Sequence, residues 1–213
     1  MRYKQWVKYG FPVLLLLVSL TSYSIDNHAI NRRITKPTPP SEKDNLLSTL
    51  KQAAISMRDY ARKNGMDPEV FFLVDMRIPS GKNRFFVYDL EMDSILMAGL
   101  VTHGKGNSLF QLVPKFSNQQ GSNCTSIGRY KVGNAYTGKF GLAYKLYGLD
   151  STNNNAYKRA VVLHAHESIP DKEVYPYPIG QSEGCPTVSP KFLEQLSNLM
   201  SNRNKPVMMY IFS

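Results

Sequence analysis

VFFLVDMRIPSGKNRFFVYDLEMDSILMAGLVT, residues 70–102, decides the fold. It holds three runs rich in β-branched and aromatic residues: Val70 to Ile78, Arg84 to Leu90 and Ser94 to Thr102. Pro79-Ser80-Gly81 and the segment Glu91 to Asp93 separate them. Short apolar runs cut by turn residues read as consecutive strands, because helices would repeat their apolar positions every three or four residues. Downstream, Thr125 to Val132, Leu142 to Tyr147, Ala160 to His164 and Val207 to Phe212 continue the strand pattern between Gly-, Ser- and Asn-rich loops. Helical spacing is found on either side. Leu46, Leu47, Leu50, Ala53, Ala54, Met57, Tyr60 and Ala61 recur at threes and fours; Ser41 with Asp44 supplies a cap, and Gly65 a stop. Pro190 to Met200 has the same spacing. The pattern predicts a mainly β domain, a β-sandwich or partly closed barrel with a few helices, one of them N-terminal to the sheet.

Working toward the N-terminus, Arg2, Lys4 and Lys8 precede an uncharged apolar run from Phe11 to Leu20, and small polar residues follow as far as Ser24. That is the layout of a signal peptide over residues 1–24, with a short membrane anchor as the alternative. No cysteine sits near its exit, which argues against a lipoprotein. Residues 25–40, with Pro37, Pro39 and Pro40, read as a linker, and residues 41–213 as the folded domain, expected to be a monomer. The 42% hydrophobic share can build a core, and the 20% charged share excludes wholesale disorder. A formal charge of +10 suits an anionic partner, the cell wall or a membrane surface, and export to the cell envelope argues against nucleic acid.

The reactive candidates lie in VVLHAH, residues 161–166, and GQSEGCPTV, residues 180–188. The first delivers His164 at the end of a strand, where rigid scaffolds place reactive groups. His166 shares its face, since alternate residues of a strand point the same way. The second is a tight turn around Cys185. A thiol nucleophile needs a base to take its proton, and backbone N–H groups to receive the negative charge that builds on an attacked carbonyl. Gly184 removes a Cβ from the path of the substrate, and Pro186 fixes the turn. From these residues alone either His164 or His166 serves as the base. His103 also ends a strand and reads as a rim residue; His28 falls in the linker. A disulfide between Cys124 and Cys185 is the competing reading for an exported protein. No cofactor is implied, and no Cys/His cluster has metal-ligand spacing. Glu167 to Gly180, with Pro170, Pro176 and Pro178, separates base from nucleophile and is expected to act as a lid whose shortening would leave the fold intact.

At these residues the chain resembles the L,D-transpeptidase catalytic domain, the YkuD-like cell-wall family, in its murein L,D-transpeptidase catalytic domain branch. VDMRIPSGKNRFFVYDL at 74–90, THGKG at 102–106, FSNQQGSNCTSIG at 116–128 and YTGKFGLAYKLYGLD at 136–150 carry the resemblance. NNNAYKRAVVLH at 153–164 and SEGCPTV at 182–188 complete it. The resemblance implies a cysteine acyltransferase acting on peptidoglycan stem peptides, with Cys185 as nucleophile and His164 as base. Ser182, Gly184 and His166 would serve substrate or oxyanion binding. Three positions depart from the family pattern: Ala165 follows the histidine in place of Gly, Glu183 precedes Gly184 in place of His or Trp, and Gln181 stands where Arg is usual. A carboxylate beside a thiol disfavours the thiolate.

Overall fold

A computed structural model of the chain describes residues 41–213. The signal or anchor segment, the linker and His28 lie outside the described residues. No helix among the described residues is long and apolar enough to cross a membrane.

The chain opens with helix α1, Glu42–Lys63. Ser41 Oγ accepts the Asp44 amide at its start, and Asp44 in return accepts the Ser41 amide, so two of the helix's orphan donors are satisfied by the pair that the sequence offered. Gly65, at φ +66, ends the helix in the left-handed conformation that costs glycine little. Strands β1 (Val70–Asp75), β2 (Phe85–Asp89) and β3 (Ser94–Gly99) follow as an antiparallel meander, the sequence-predicted runs trimmed at their ends. β4 (Gly128–Gly138) and β5 (Gly141–Gly148) form a hairpin, and β6 (Val162–Ala165) pairs with β5. Thr187–Val188 make a two-residue strand, β7, too short to leave a sequence signal. Helix α2 (Pro190–Ser201) is capped by Ser189 Oγ, and β8 (Met208–Phe212) closes the chain.

All eight strands join one mixed sheet in the order β3-β2-β1-β8-β4-β5-β6-β7. Every residue of β1 is buried, because both faces of the sheet are covered. Phe71 and Leu73 face α1, together with Leu50, Ala54, Met57 and Ala61. Val70, Phe72 and Val74 face the larger core, which includes Tyr130, Leu146, Leu163, Val188 and the α2 residues Phe192, Leu193 and Leu196. The strip after β3 then crosses to the far end of the sheet, where the Thr102 amide donates to Thr187 O at 2.9 Å. The sheet is open but bent around that core. The mainly β class holds, and so does the N-terminal helix on one sheet face.

Candidate active site

The parallel pairing of β6 with β7 positions the site. Its register sets His164 opposite Thr187 and Ala165 opposite Val188. Cys185 lies two residues before Thr187, so this short ladder delivers the imidazole and the thiol to one end of the sheet. Both line a cavity of about 380 Å³, with Thr102, Lys105, Phe140, His166, Ser182 and Glu183 among the other residues of its wall.

The turn that carries the thiol is tied from three sides. Ser182 Oγ accepts the Gly184 amide at 3.1 Å and donates to Cys185 O at 2.6 Å. Thr102 Oγ1 donates to the same carbonyl at 3.1 Å and accepts the Thr187 amide at 3.1 Å. The Ser182 amide donates to His103 O, and Ser182 O accepts the Lys105 amide. Gly184 is required where it stands: its φ is +113, and a Cβ there would meet Cys124 O at 2.7 Å. Both cysteines are free thiols, Cys124 buried and Cys185 partly exposed.

His164 is 8% exposed and bonded at both nitrogens. Ala165 O accepts from Nδ1 at 3.1 Å, which leaves Nε2 to accept from Thr187 Oγ1 at 3.0 Å. Burial, with a smaller push from His166, holds this imidazole below the ordinary histidine range, against the opposing bond to Ala165. It is therefore a neutral imidazole at neutral pH. Phe140 stacks on it with ring centroids 5.3 Å apart and also touches the edge of the exposed His166 ring. The two histidines thus share a face, as alternation requires. Only His164 is seated against the β7 strand next to the thiol, whereas Nδ1 of His166 is bonded to Ser168. Nε2 of His164 makes no hydrogen bond to Cys185. Sγ instead points at Ala160 O, 3.9 Å away.

Burial pushes the Cys185 thiol up from its ordinary value. A backbone bond from Val162 and the charge of Arg159 pull it back, and Glu183 adds a little to the rise. Glu183 itself is exposed and pairs with Lys105 Nζ at 3.2 Å, so solvent and an ion-pair partner both weaken its effect on the thiol.

Other sequence expectations are redistributed. His103 is not at the rim but 1% exposed. It accepts from Arg84 at Nδ1, 3.0 Å, and reaches Gln111 O from Nε2, 2.9 Å. Gln181, in place of the expected arginine, bonds Gln111 through both backbone amide and carbonyl. The segment from Glu167 to Gly180 forms a wall and not a free lid. Val174 and Tyr175 donate to Gly81 O, and Ile169 and Ile179 are buried with Leu100. Sequence reading missed Thr102, Thr187 and Phe140. Thr187 had a signal, since it follows the reactive turn at the strand spacing of two; the others are brought in by chain pairings with no local trace.

The class these features define is a mainly β protein whose one mixed sheet brings a thiol and an imidazole to one cavity. The chain belongs to the L,D-transpeptidase catalytic domain family, whose model matches residues 42–212. No curated protein matches the chain. Among solved structures it is similar to an L,D-transpeptidase from Mycobacterium smegmatis (14% identity, 68% of this chain and 59% of that one, TM-score 0.41). It is also similar to the helical cell shape determining protein Pgp2 from Campylobacter jejuni (12%, 67% and 47%, 0.43). A third is an L,D-transpeptidase from Xylanimonas cellulosilytica (12%, 72% and 68%, 0.40). The chain spans less than two thirds of the length of the first two, and its family membership rests on the sequence match.

Proposed function

We propose that this chain is an exported peptidoglycan L,D-transpeptidase with Cys185 as nucleophile and His164 as base. The observation that carries the reading is the β6–β7 register, which brings both residues to one cavity beside a glycine turn. Turning the Cys185 side chain from Ala160 O toward His164, and releasing Nε2 from Thr187 Oγ1, places the base on the thiol proton. The thiolate then attacks the carbonyl of the third residue of a tetrapeptide stem. Of the two amides in the turn, that of Gly184 is already bonded to Ser182 Oγ, so the Cys185 amide is the donor available to the oxyanion. The C–N bond to the terminal D-Ala breaks, and its amine leaves with the proton held by His164. An amine of a neighbouring stem attacks the thioester, gives up its proton to His164 and forms a 3–3 cross-link. Water in its place gives an L,D-carboxypeptidase outcome from the same site. The reaction needs no cofactor, and the partner is the wall, with the N-terminal segment a signal or a membrane tether.

Incubating the chain with a carbapenem and measuring intact mass tests the nucleophile. A one-to-one adduct on the natural chain and none on Cys185→Ala is the expected outcome. Product analysis on tetrapeptide stems then separates cross-link from hydrolysis. Binding to peptidoglycan with neither adduct nor turnover would identify a non-catalytic wall-binding relative and overturn the reading. The pH profile follows from the two shifts. The thiol is raised and the imidazole lowered, so both are neutral in the resting site at pH 7. Adduct formation should therefore climb from neutral into alkaline pH as the thiol ionises. On the acid side it should persist below the ordinary histidine range, until His164 takes a proton. A maximum near pH 6 that falls away on the alkaline side would instead mean a resting thiolate–imidazolium pair.

A further inference from the structure

Beneath the turn that carries Cys185, next to Gly184, lies Arg159. Its Nη1 donates to Ser117 O at 2.8 Å and to Ser126 Oγ at 2.5 Å; its Nη2 donates to Cys124 O at 2.6 Å and to Ser122 Oγ at 3.3 Å. All four acceptors are neutral, and no carboxylate pairs with the guanidinium among the described residues. The loop gathered in this way is the one Gly184 rests on. A Cβ on Gly184 would stand 2.7 Å from Cys124 O and 3.3 Å from Arg159 Nη2. The next residue, Ala160, is held at φ +54, a left-handed conformation unusual for a residue with a Cβ, and its carbonyl is the one that faces Cys185 Sγ. The chain thus carries local strain where Arg159 and the thiol meet.

We propose that Arg159 is the positioning residue of the nucleophile: it clamps the 117–126 loop beneath Gly184, fixes the Cys185 turn and keeps an unneutralised positive charge behind the thiol. The inference rests on Cys185 being the reactive thiol. It accounts for a feature the Cys–His pair leaves open, since His164 makes no hydrogen bond to Sγ in the resting site. A fixed cation lowers the cost of the thiolate before the base engages, and a planar guanidinium can hold four acceptors at once where an ammonium cannot. The charge of Arg159 is among the influences that pull the thiol down against its burial.

The test is the rate of Cys185 carbamidomethylation by iodoacetamide from about pH 6 to about pH 11.5, read on the Cys185 peptide by mass spectrometry. It uses the full chain, Arg159→Gln and Arg159→Lys, each with a melting curve. In Arg159→Gln the midpoint should move up by about one pH unit, so labelling at pH 7 slows roughly tenfold. Arg159→Lys, which keeps the charge but loses the fork, should keep the midpoint near that of the natural chain and lower turnover. A folded Arg159→Gln whose profile superimposes on that of the natural chain overturns the inference, as does a natural Cys185 that stays unlabelled at every pH. Where Arg159→Gln does not fold, Ser122→Ala/Ser126→Ala removes one side-chain acceptor from each Nη. It keeps the charge and loosens the clamp, so it should leave the midpoint near that of the natural chain and slow carbapenem adduct formation, and adduct kinetics equal to those of the natural chain overturn the proposal. Alkylation needs no wall substrate. An Arg159-dependent profile without stem-peptide turnover would therefore keep this inference and remove the transpeptidase reading.

Discussion

His103 shows how one buried side chain sets a pH limit on stability. It is buried against Arg84, a cation that is itself 1% exposed, bonded to Val101 O and Ile78 O, and brought down to about 10 by its burial. Burial first, and the Arg84 charge second, bring His103 down to about 4. An unfolded histidine titrates near ~6.5, so the unfolded chain takes up this proton first as pH falls. The stability contributed by neutral His103 is therefore complete above about pH 6.5 and is lost on the way down to about pH 4, up to about 3 kcal/mol in all. Urea titrations at pH 7.5 and 4.5 should show a smaller acid loss in His103→Gln than in the natural chain. An equal loss in both would place the acid sensitivity elsewhere. Since His103 O holds the Ser182 amide, the same residue links this pH limit to the reactive turn.

At the scale of elements, the segment from Glu167 to Gly180 departs most from what its composition suggests. Three prolines and several charges read as a mobile cover. Yet Gly81 sits so close to it that a Cβ there would overlap Tyr177 O at 2.0 Å, and the Asn83 amide donates to Glu173 at 2.8 Å. Ile169, Ile179 and Leu100 form a small core of their own beneath it, with Val174 against them. Deleting Asp171 to Tyr177 should expose that core and lower stability by about 3 kcal/mol, roughly 10 °C in melting temperature for a chain of this size. A melting curve unchanged by the deletion would restore the lid reading. Helix α1 behaves as its sequence predicts, because its signals are local: a capping box at one end, a glycine at the other and an apolar stripe between them.

The described domain is closed where the strip after β3 meets the far end of the sheet. Thr102, just past the first edge of the sheet, gives its amide to Thr187 O, accepts the Thr187 amide on Oγ1 and donates that hydroxyl to Cys185 O. Three bonds of Thr102 therefore join the far end of the sheet to the strip after β3, and one of them lands on Cys185. Thr102→Val keeps the shape and removes the hydroxyl. It should cost about 1–3 kcal/mol of stability, because the Thr187 amide is left buried without its acceptor. It should also slow carbapenem adduct formation by more than the loss of folded protein explains. Denaturant titration and adduct kinetics on the same preparation measure the two effects, and adduct kinetics identical to those of the natural chain would show that the turn holds without this closure.

The sequence by itself determined the strands from Val70 to Thr102 and the two helices, the first with its cap, and it offered the candidates for chemistry, Cys185 with His164 or His166. Each rests on neighbours a few positions apart: alternation along a strand, threes and fours along a helix, glycine before a reactive turn. It did not determine that β1 would lie between an antiparallel β2 and a parallel β8, since a fully buried strand carries no mark of its partners. Nor did it show that His103 is buried, that Thr187 holds His164, or that Arg159 underlies Gly184. Those facts come from pairing segments that lie apart in the chain, Phe71 with Met208 among them, and the free energy that selects such pairings lies in the shared burial of both sheet faces, which no short window of sequence contains.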